Sequence, residues 1–132
     1  MKIYNKTRAH EYYLKNKERM NSQSWKWQKS HPEIVRRIKQ RYREKIKAQI
    51  IKLLGSKCSN PNCPVPGGCR DIRCLQIDHV HGGGCKERKF HSEERYRRIR
   101  DEILSGSKEY QLLCANCNWI KRVENKEQEK RY

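Results

Sequence analysis

Two pairs of cysteines constrain this chain more than any other feature. Cys58-Ser-Asn-Pro-Asn-Cys63 is a turn with a thiol at each end, and Cys114-Ala-Asn-Cys117 is a tighter knuckle. Together they offer four thiolates, the set that a closed, tetrahedral zinc site takes. A shared ion would fasten the segment before one strand to the helix after another. The chain needs such a fastener. Only 34% of its 132 residues are hydrophobic and the mean hydropathy is −1.22, too little for a conventional core of this size. No stretch is apolar enough to span a membrane, and the basic start, Met1–Lys6, lacks the apolar centre of a signal peptide. The expected compartment is intracellular, where thiols stay reduced and hold metals rather than pairing. Of the remaining three cysteines, Cys69 competes with Cys63 as a ligand, because the Pro64–Gly68 loop can present either. Cys74 reads as a small buried residue of a strand and Cys85 as a free thiol in a loop.

Between the pairs lies Leu75-Gln76-Ile77-Asp78-His79-Val80-His81-Gly82-Gly83-Gly84. The alternation of Leu75 and Ile77 with polar neighbours reads as a short strand. It delivers a carboxylate and an imidazole into three glycines. Asp78 is suited to a hard divalent cation. His79 can accept a proton near neutral pH. The glycines let a backbone or a phosphate chain approach. Downstream, Gln111–Cys114 reads as a second strand that feeds the knuckle and then a helix carrying Asn118. His81 reads as a surface residue of the loop, with a metal or phosphate contact as its sharper alternative.

The combination Cys58…Cys63…Ile77-Asp78-His79…Leu112-Leu113-Cys114-Ala-Asn-Cys117-Asn118 resembles the HNH endonucleases of the ββα-metal (His-Me finger) fold, in particular the small proteins of phages and mobile elements. The resemblance covers roughly residues 56–125. It implies an α+β fold, a small ββα-metal HNH domain stapled by a four-cysteine zinc site formed by Cys58, Cys63, Cys114 and Cys117. It implies His79 as the general base that activates water. It implies Asp78 and Asn118 as ligands of one catalytic Mg or Mn ion, and DNA as the substrate. There is one departure. The family's middle Asn, which orients the base, falls here at Glu109, whose carboxylate could accept a hydrogen bond from the imidazole in its place. The chemistry fits the residues independently. Phosphodiester hydrolysis needs a deprotonated water and positive charge on the scissile phosphate, and one carboxylate with one amide leaves a Mg or Mn ion room for both.

Residues 1–55 form an arm of different character. Through Lys57 there are 17 Lys and Arg against four Glu, so +13 of the formal net charge of +17 lies ahead of the cysteines. Tyr12, Trp27 and Tyr42 recur every 15 residues, close to four helical turns. Helices are expected over 6–20 and 33–54. The second opens at Ser30-His31-Pro32-Glu33, with Ser30 as N-cap, and stops at Gly55. Its stripe of Ile34, Ile38, Tyr42, Ile46, Ile50 and Leu53 is expected to dock on the domain. A single-signed surface of this kind is suited to a nucleic-acid backbone. The expected contacts are Arg36, Arg37, Arg41 and Arg43, with Arg88 and Lys89 after the glycines.

Ser92-Glu93-Glu94 should open a further helix, with Ser92 as cap, Tyr96, Ile99 and Ile103 on its apolar face, and Ser105-Gly106 as its end. In the last helix Trp119 is expected in the core. The segment 126–132 is expected to be a frayed tail. Neither a membrane nor a small-molecule substrate is expected. A homodimer or a phage protein remains open as a partner. The rival functions are a non-catalytic zinc module that binds nucleic acid and an accessory subunit of a phage packaging or recombination machine.

Overall fold

The computed structural model describes residues 6–127, with Arg88 described by its backbone alone. The elements are α1 (Lys6–Ser30), α2 (Pro32–Leu53), β1 (Leu75–His79), a short 3-10 helix (Gly84–Lys89), α3 (Ser92–Leu104), β2 (Tyr110–Cys114) and α4 (Ala115–Glu124). The class is α+β, as expected. Among the described residues no helix is long and apolar enough to cross a membrane. Two compact units divide the chain between Gln40 and Arg41, inside α2.

The first unit holds α1 and the start of α2. α1 runs ten residues beyond its expected end, because no glycine or proline interrupts it before Pro32. Pro32 is the first residue of α2, where its missing N–H costs nothing. Ser30 is not the N-cap. Its hydroxyl donates to the Trp27 carbonyl at 2.9 Å, within the last turn of α1. α1 buries no residue at all, and Tyr12, Leu14, Trp25 and Trp27 are exposed.

The second unit is built on an antiparallel pair in the register Leu75↔Cys114, Ile77↔Leu112, Asp78↔Gln111 and His79↔Tyr110. Two small cores flank it. In one, Ile46 and Ile50 of α2 meet Ile99 of α3 and Tyr110 of β2, with Ile77, Tyr96 and Ile103 half-buried around them. In the other, Ile51, Leu75, Leu112 and Leu113 pack with Cys58, Cys69, Cys114 and Cys117. The boundary expected at residue 55 therefore lies inside α2, since the end of that helix belongs to the core. Of the expected stripe only Ile46 and Ile50 are buried, while Ile34, Ile38, Tyr42 and Leu53 are exposed. Ile51, outside that stripe, supplies the third buried position.

Gly55, at φ +92°, ends α2, and the Ser56 N–H reaches back to the Ile51 carbonyl at 2.9 Å. This closure satisfies carbonyls that the helix leaves open. α3 ends the same way at Gly106. Its N-cap is His91 rather than Ser92, and Ser92 is instead the first helical residue. α4 buries only Cys117, so Trp119 is not core. It is 57% exposed, with the Arg122 guanidinium 5.5 Å from its ring centroid. Of the expected tail, only residues 126 and 127 fall within the described part.

Candidate metal centre and Asp-His-Asn cavity

The thiols of Cys58, Cys63, Cys114 and Cys117 gather within 4.8 Å of one another, close enough to hold one metal ion. The local fold explains the gathering. Cys114 ends β2 and Cys117 lies in the first turn of α4. The other pair comes from the loop after α2, which is tied to the strand by Ser59 N–H donating to the Leu112 carbonyl at 2.7 Å. Cys63, not Cys69, completes the group. Cys69 gives its carbonyl to the Cys58 N–H at 2.8 Å and shapes the loop instead. Gly68 is required there: at φ +86° a Cβ would come within 2.8 Å of the Cys58 carbonyl oxygen. Backbone N–H groups of Cys69 and Val65 hold the Cys63 thiol down to about 7, whereas burial pushes Cys117 up to about 12. The Cys114 N–H donates to the Cys58 sulfur at 3.3 Å. Cys74 is exposed in the turn before β1, not buried on the strand, and Cys85 is an exposed free thiol.

Asp78, His79 and Asn118 line one cavity of about 800 Å³, together with the glycine turn and the side chains of Arg95 and Arg122. β1 delivers its two residues from opposite faces. Side chains alternate along a strand, and residues directly opposite one another share a face. Asp78 therefore shares a face with Gln111 and His79 with Tyr110. On the Asp78 face, Gln111 Nε2 donates to Asp78 Oδ2 at 2.9 Å, and Lys121 Nζ lies 2.5 Å from the same oxygen. Lys121 also donates to the His79 carbonyl. The pair is well shielded, with the Asp78 and Lys121 side chains 13% and 16% exposed. One turn earlier on α4, Asn118 Nδ2 donates to Gln76 Oε1 at 2.5 Å. That bond fixes the amide with Oδ1 buried and without any hydrogen-bond partner. A buried carbonyl oxygen in that position is an acceptor waiting for a cation or a donor.

On the other face, His79 Nε2 lies 3.0 Å from Glu87 Oε1. The Tyr110 ring sits beside the imidazole at 4.9 Å between centroids. Glu109 does not play the part expected of it. Its backbone carbonyl accepts from Val80 N–H at 2.8 Å, but its side chain is exposed. The reason is parity: His79 shares a face with Tyr110, whereas residue 109 falls on the face of Gln111 and Asp78. β1 ends at His79, and His81 is exposed on the cavity wall.

The basic residues divide. Arg37 and Arg41 are exposed, and Arg36 pairs with Glu33 at the surface at 3.1 Å. Arg43 is committed elsewhere: its Nη1 lies 3.3 Å from both Ser92 Oγ and Glu93 Oε1, which ties α2 to the start of α3. Lys89 is exposed with its ammonium over the Phe90 ring, while the Arg88 side chain lies outside the described part. The partners Gln76, Glu87, Gln111 and Lys121 were not read from the sequence. Gln76 and Lys121 carried a signal, since Gln76 shares the parity of Asp78, and Lys121 follows Asn118 by three on a helix. No family model, curated protein or solved structure matches the chain.

Proposed function

We propose that this chain is a metal-dependent DNA endonuclease of the HNH type, with zinc in the four-cysteine group and Mg or Mn held by Asp78 and Asn118. The observation that carries this reading is the unpartnered, buried Asn118 Oδ1 on the wall it shares with Asp78 and His79. A pure binding module has no use for an amide oxygen oriented in this way. Zinc suits the thiols. Zn–S bonds of about 2.3 Å in a tetrahedron place sulfurs about 3.8 Å apart, and the Cys63 and Cys114 sulfurs lie at 3.9 Å.

A divalent ion at Asp78 and Asn118 would supply positive charge to the scissile phosphate. The protein's own part is acid–base and positional. A neutral His79 takes a proton from the attacking water, whose oxygen bonds to phosphorus in line with the leaving oxygen, which departs and is protonated by solvent. Arg95 and Arg122, on the same wall, supply fixed positive charge for the phosphate oxygens. The exposed cations of α1 and of the start of α2 supply sequence-independent attraction to the backbone.

The test is plasmid relaxation with Mg, with Mn and with EDTA, run on the wild type and on His79→Ala. Metal-dependent nicking that disappears in the variant is expected. Cleavage by the variant at the wild-type rate would remove His79 from the reaction. A second reading, a non-catalytic nucleic-acid-binding module, draws on the Asp78–Lys121 pair, in which the carboxylate already has a cation. It predicts DNA binding with no nicking under any metal.

A further inference from the structure

The geometry points to Glu87, carried on the short helix after the three glycines, as the positioning residue that fixes which nitrogen of His79 is free to act as base. This inference rests on the reading of His79 as the base. It adds a residue that the motif does not contain.

Three observations bear on it. First, Glu87 Oε1 lies 3.0 Å from His79 Nε2, and each side chain is 22% exposed. An ionised carboxylate only accepts, so Nε2 must carry the proton and Nδ1 the lone pair. Second, Glu87 is itself held. The Tyr110 hydroxyl lies 3.1 Å from Glu87 Oε1 and 2.6 Å from Glu102 Oε2. Burial, with Glu102 next, pushes that hydroxyl far above its usual range, so it remains a donor. The hydroxyl has one proton to share between the two carboxylates, with Glu102 the nearer, so β2 sets a single donor behind Glu87 and α3 competes for it. Third, the turn is cut to fit the ring. A Cβ on Gly84 would meet His79 Nδ1 at 2.9 Å and Cε1 at 3.2 Å. Gly84 also lines the cavity that holds Asp78 and Asn118. The unprotonated nitrogen therefore lies beside Gly84, and His79 and Gly84 both line that cavity.

The run Gly82-Gly83-Gly84 gains a specific meaning from this. Gly82 and Gly83 adopt positive φ, 73° and 91°, and turn the chain back. Gly84 leaves room for the imidazole edge. Three residues later the 3-10 helix brings Glu87 to the far nitrogen. A carboxylate behind a working histidine fixes its tautomer and its orientation, and losing such a partner typically costs about 10–100-fold in function.

The experiment uses the full chain, loaded with zinc and 15N-labelled, at a pH where the ring is neutral. Long-range proton–nitrogen correlation separates protonated from unprotonated ring nitrogens. The wild type should show Nε2 protonated and Nδ1 bare. Glu87→Ala should give a mixture of both tautomers, with zinc content and the rest of the spectrum retained. Gly84→Ala should give the same mixture by a different route, since its methyl pushes the ring off Glu87. In cleavage assays Glu87→Ala should lower kcat about 10–100-fold with KM for DNA unchanged. A protonated Nδ1 in the wild type, an unaltered tautomer in Glu87→Ala, or wild-type kcat in that variant would each overturn the inference. The tautomer is read without any cleavage. A wild type that binds DNA but never nicks it would sink the nuclease reading, and the spectrum would still decide the role of Glu87.

Discussion

Removing zinc should unfold the second unit. The core around the thiols contains four aliphatic side chains, Ile51, Leu75, Leu112 and Leu113. Fully burying such a side chain contributes about 1.5–3 kcal/mol, so the four give roughly 6–12 kcal/mol before any ordering cost. The other four members of that core are Cys58, Cys114 and Cys117 of the four-thiol group and the neighbouring Cys69. Structural zinc in small modules contributes about 10–16 kcal/mol near neutral pH, comparable with or above the aliphatic part. Net stabilities of whole domains are only about 5–15 kcal/mol. The connection from Leu54 to Cys74 contains no helix or strand, and each of its residues costs about 1–2 kcal/mol to order. The perturbation is a high-affinity chelator, or Cys114→Ser. The assay is circular dichroism on heating, with released zinc measured alongside. About one tightly held zinc per chain is expected, with loss of the cooperative transition once it is withdrawn. A metal-free protein that melts at the same temperature as the purified one would refute the reasoning. So would Cys63→Ser retaining zinc while Cys69→Ser loses it.

His79→Ala should lower kcat about 10²–10⁴-fold while DNA affinity, measured by a mobility shift in EDTA, stays the same. Asn118→Ala should raise the Mg concentration needed for half-maximal cleavage without changing zinc content, because the carbonyl oxygen offered to the ion is lost along with the Gln76 contact, and neither involves a thiol. Charge reversal of Arg36, Arg37 and Arg41 to Glu should weaken binding to all sequences alike and flatten the salt dependence by about 0.9 log units per lost phosphate contact. Arg43 is left out of that set because its partner is Glu93, and reversal would place two like charges together; a slope unchanged by the triple reversal would take the arm off the DNA. Apparent zinc affinity should fall with pH. Cys63 titrates at about 7 without metal. Above that pH its thiolate is already formed and costs nothing, whereas below it each bound zinc must displace one more proton, so the slope steepens by about one.

The ligand frame was legible in the sequence because it rests on short-range rules. Cys-x-x-Cys at a strand-to-helix junction, and a strand read from the alternation of Leu75 and Ile77 with polar neighbours, need no knowledge of distant contacts. The same parity rule would have excluded Glu109. Residue 109 falls on the face of Gln111, which pairs with Asp78, and not on that of Tyr110, which pairs with His79. Glu87 was not legible. It sits on a 3-10 segment without periodicity, and its meeting with His79 depends on how three glycines turn. Trp119 misled for a different reason. Apolar residues spaced along a short helix usually mark a core face. Here the inward face of α4 is occupied by Cys117 and by the polar pairings of Asn118 and Lys121, which leaves Trp119, Ile120 and Val123 outside.

The two sites are joined by one ladder, and this bears on how they fail. Leu75 pairs with Cys114 at the thiol end, and His79 pairs with Tyr110 at the other. A slip of one residue would exchange the faces of Asp78 and His79. It would send the carboxylate toward Tyr110 and the imidazole toward Lys121. A metal ion on the four cysteines would hold that register through Cys114, while Ala115 N–H, donating to the Cys74 carbonyl at 3.0 Å, closes the same end. Loss of zinc should therefore release the His79 environment together with the fold of this unit. Titrating chelator while following the His79 ring signals and the helical ellipticity tests this, and the two should change at the same chelator concentration. Ring signals that stay native after the ellipticity is lost would separate the ladder from the four cysteines.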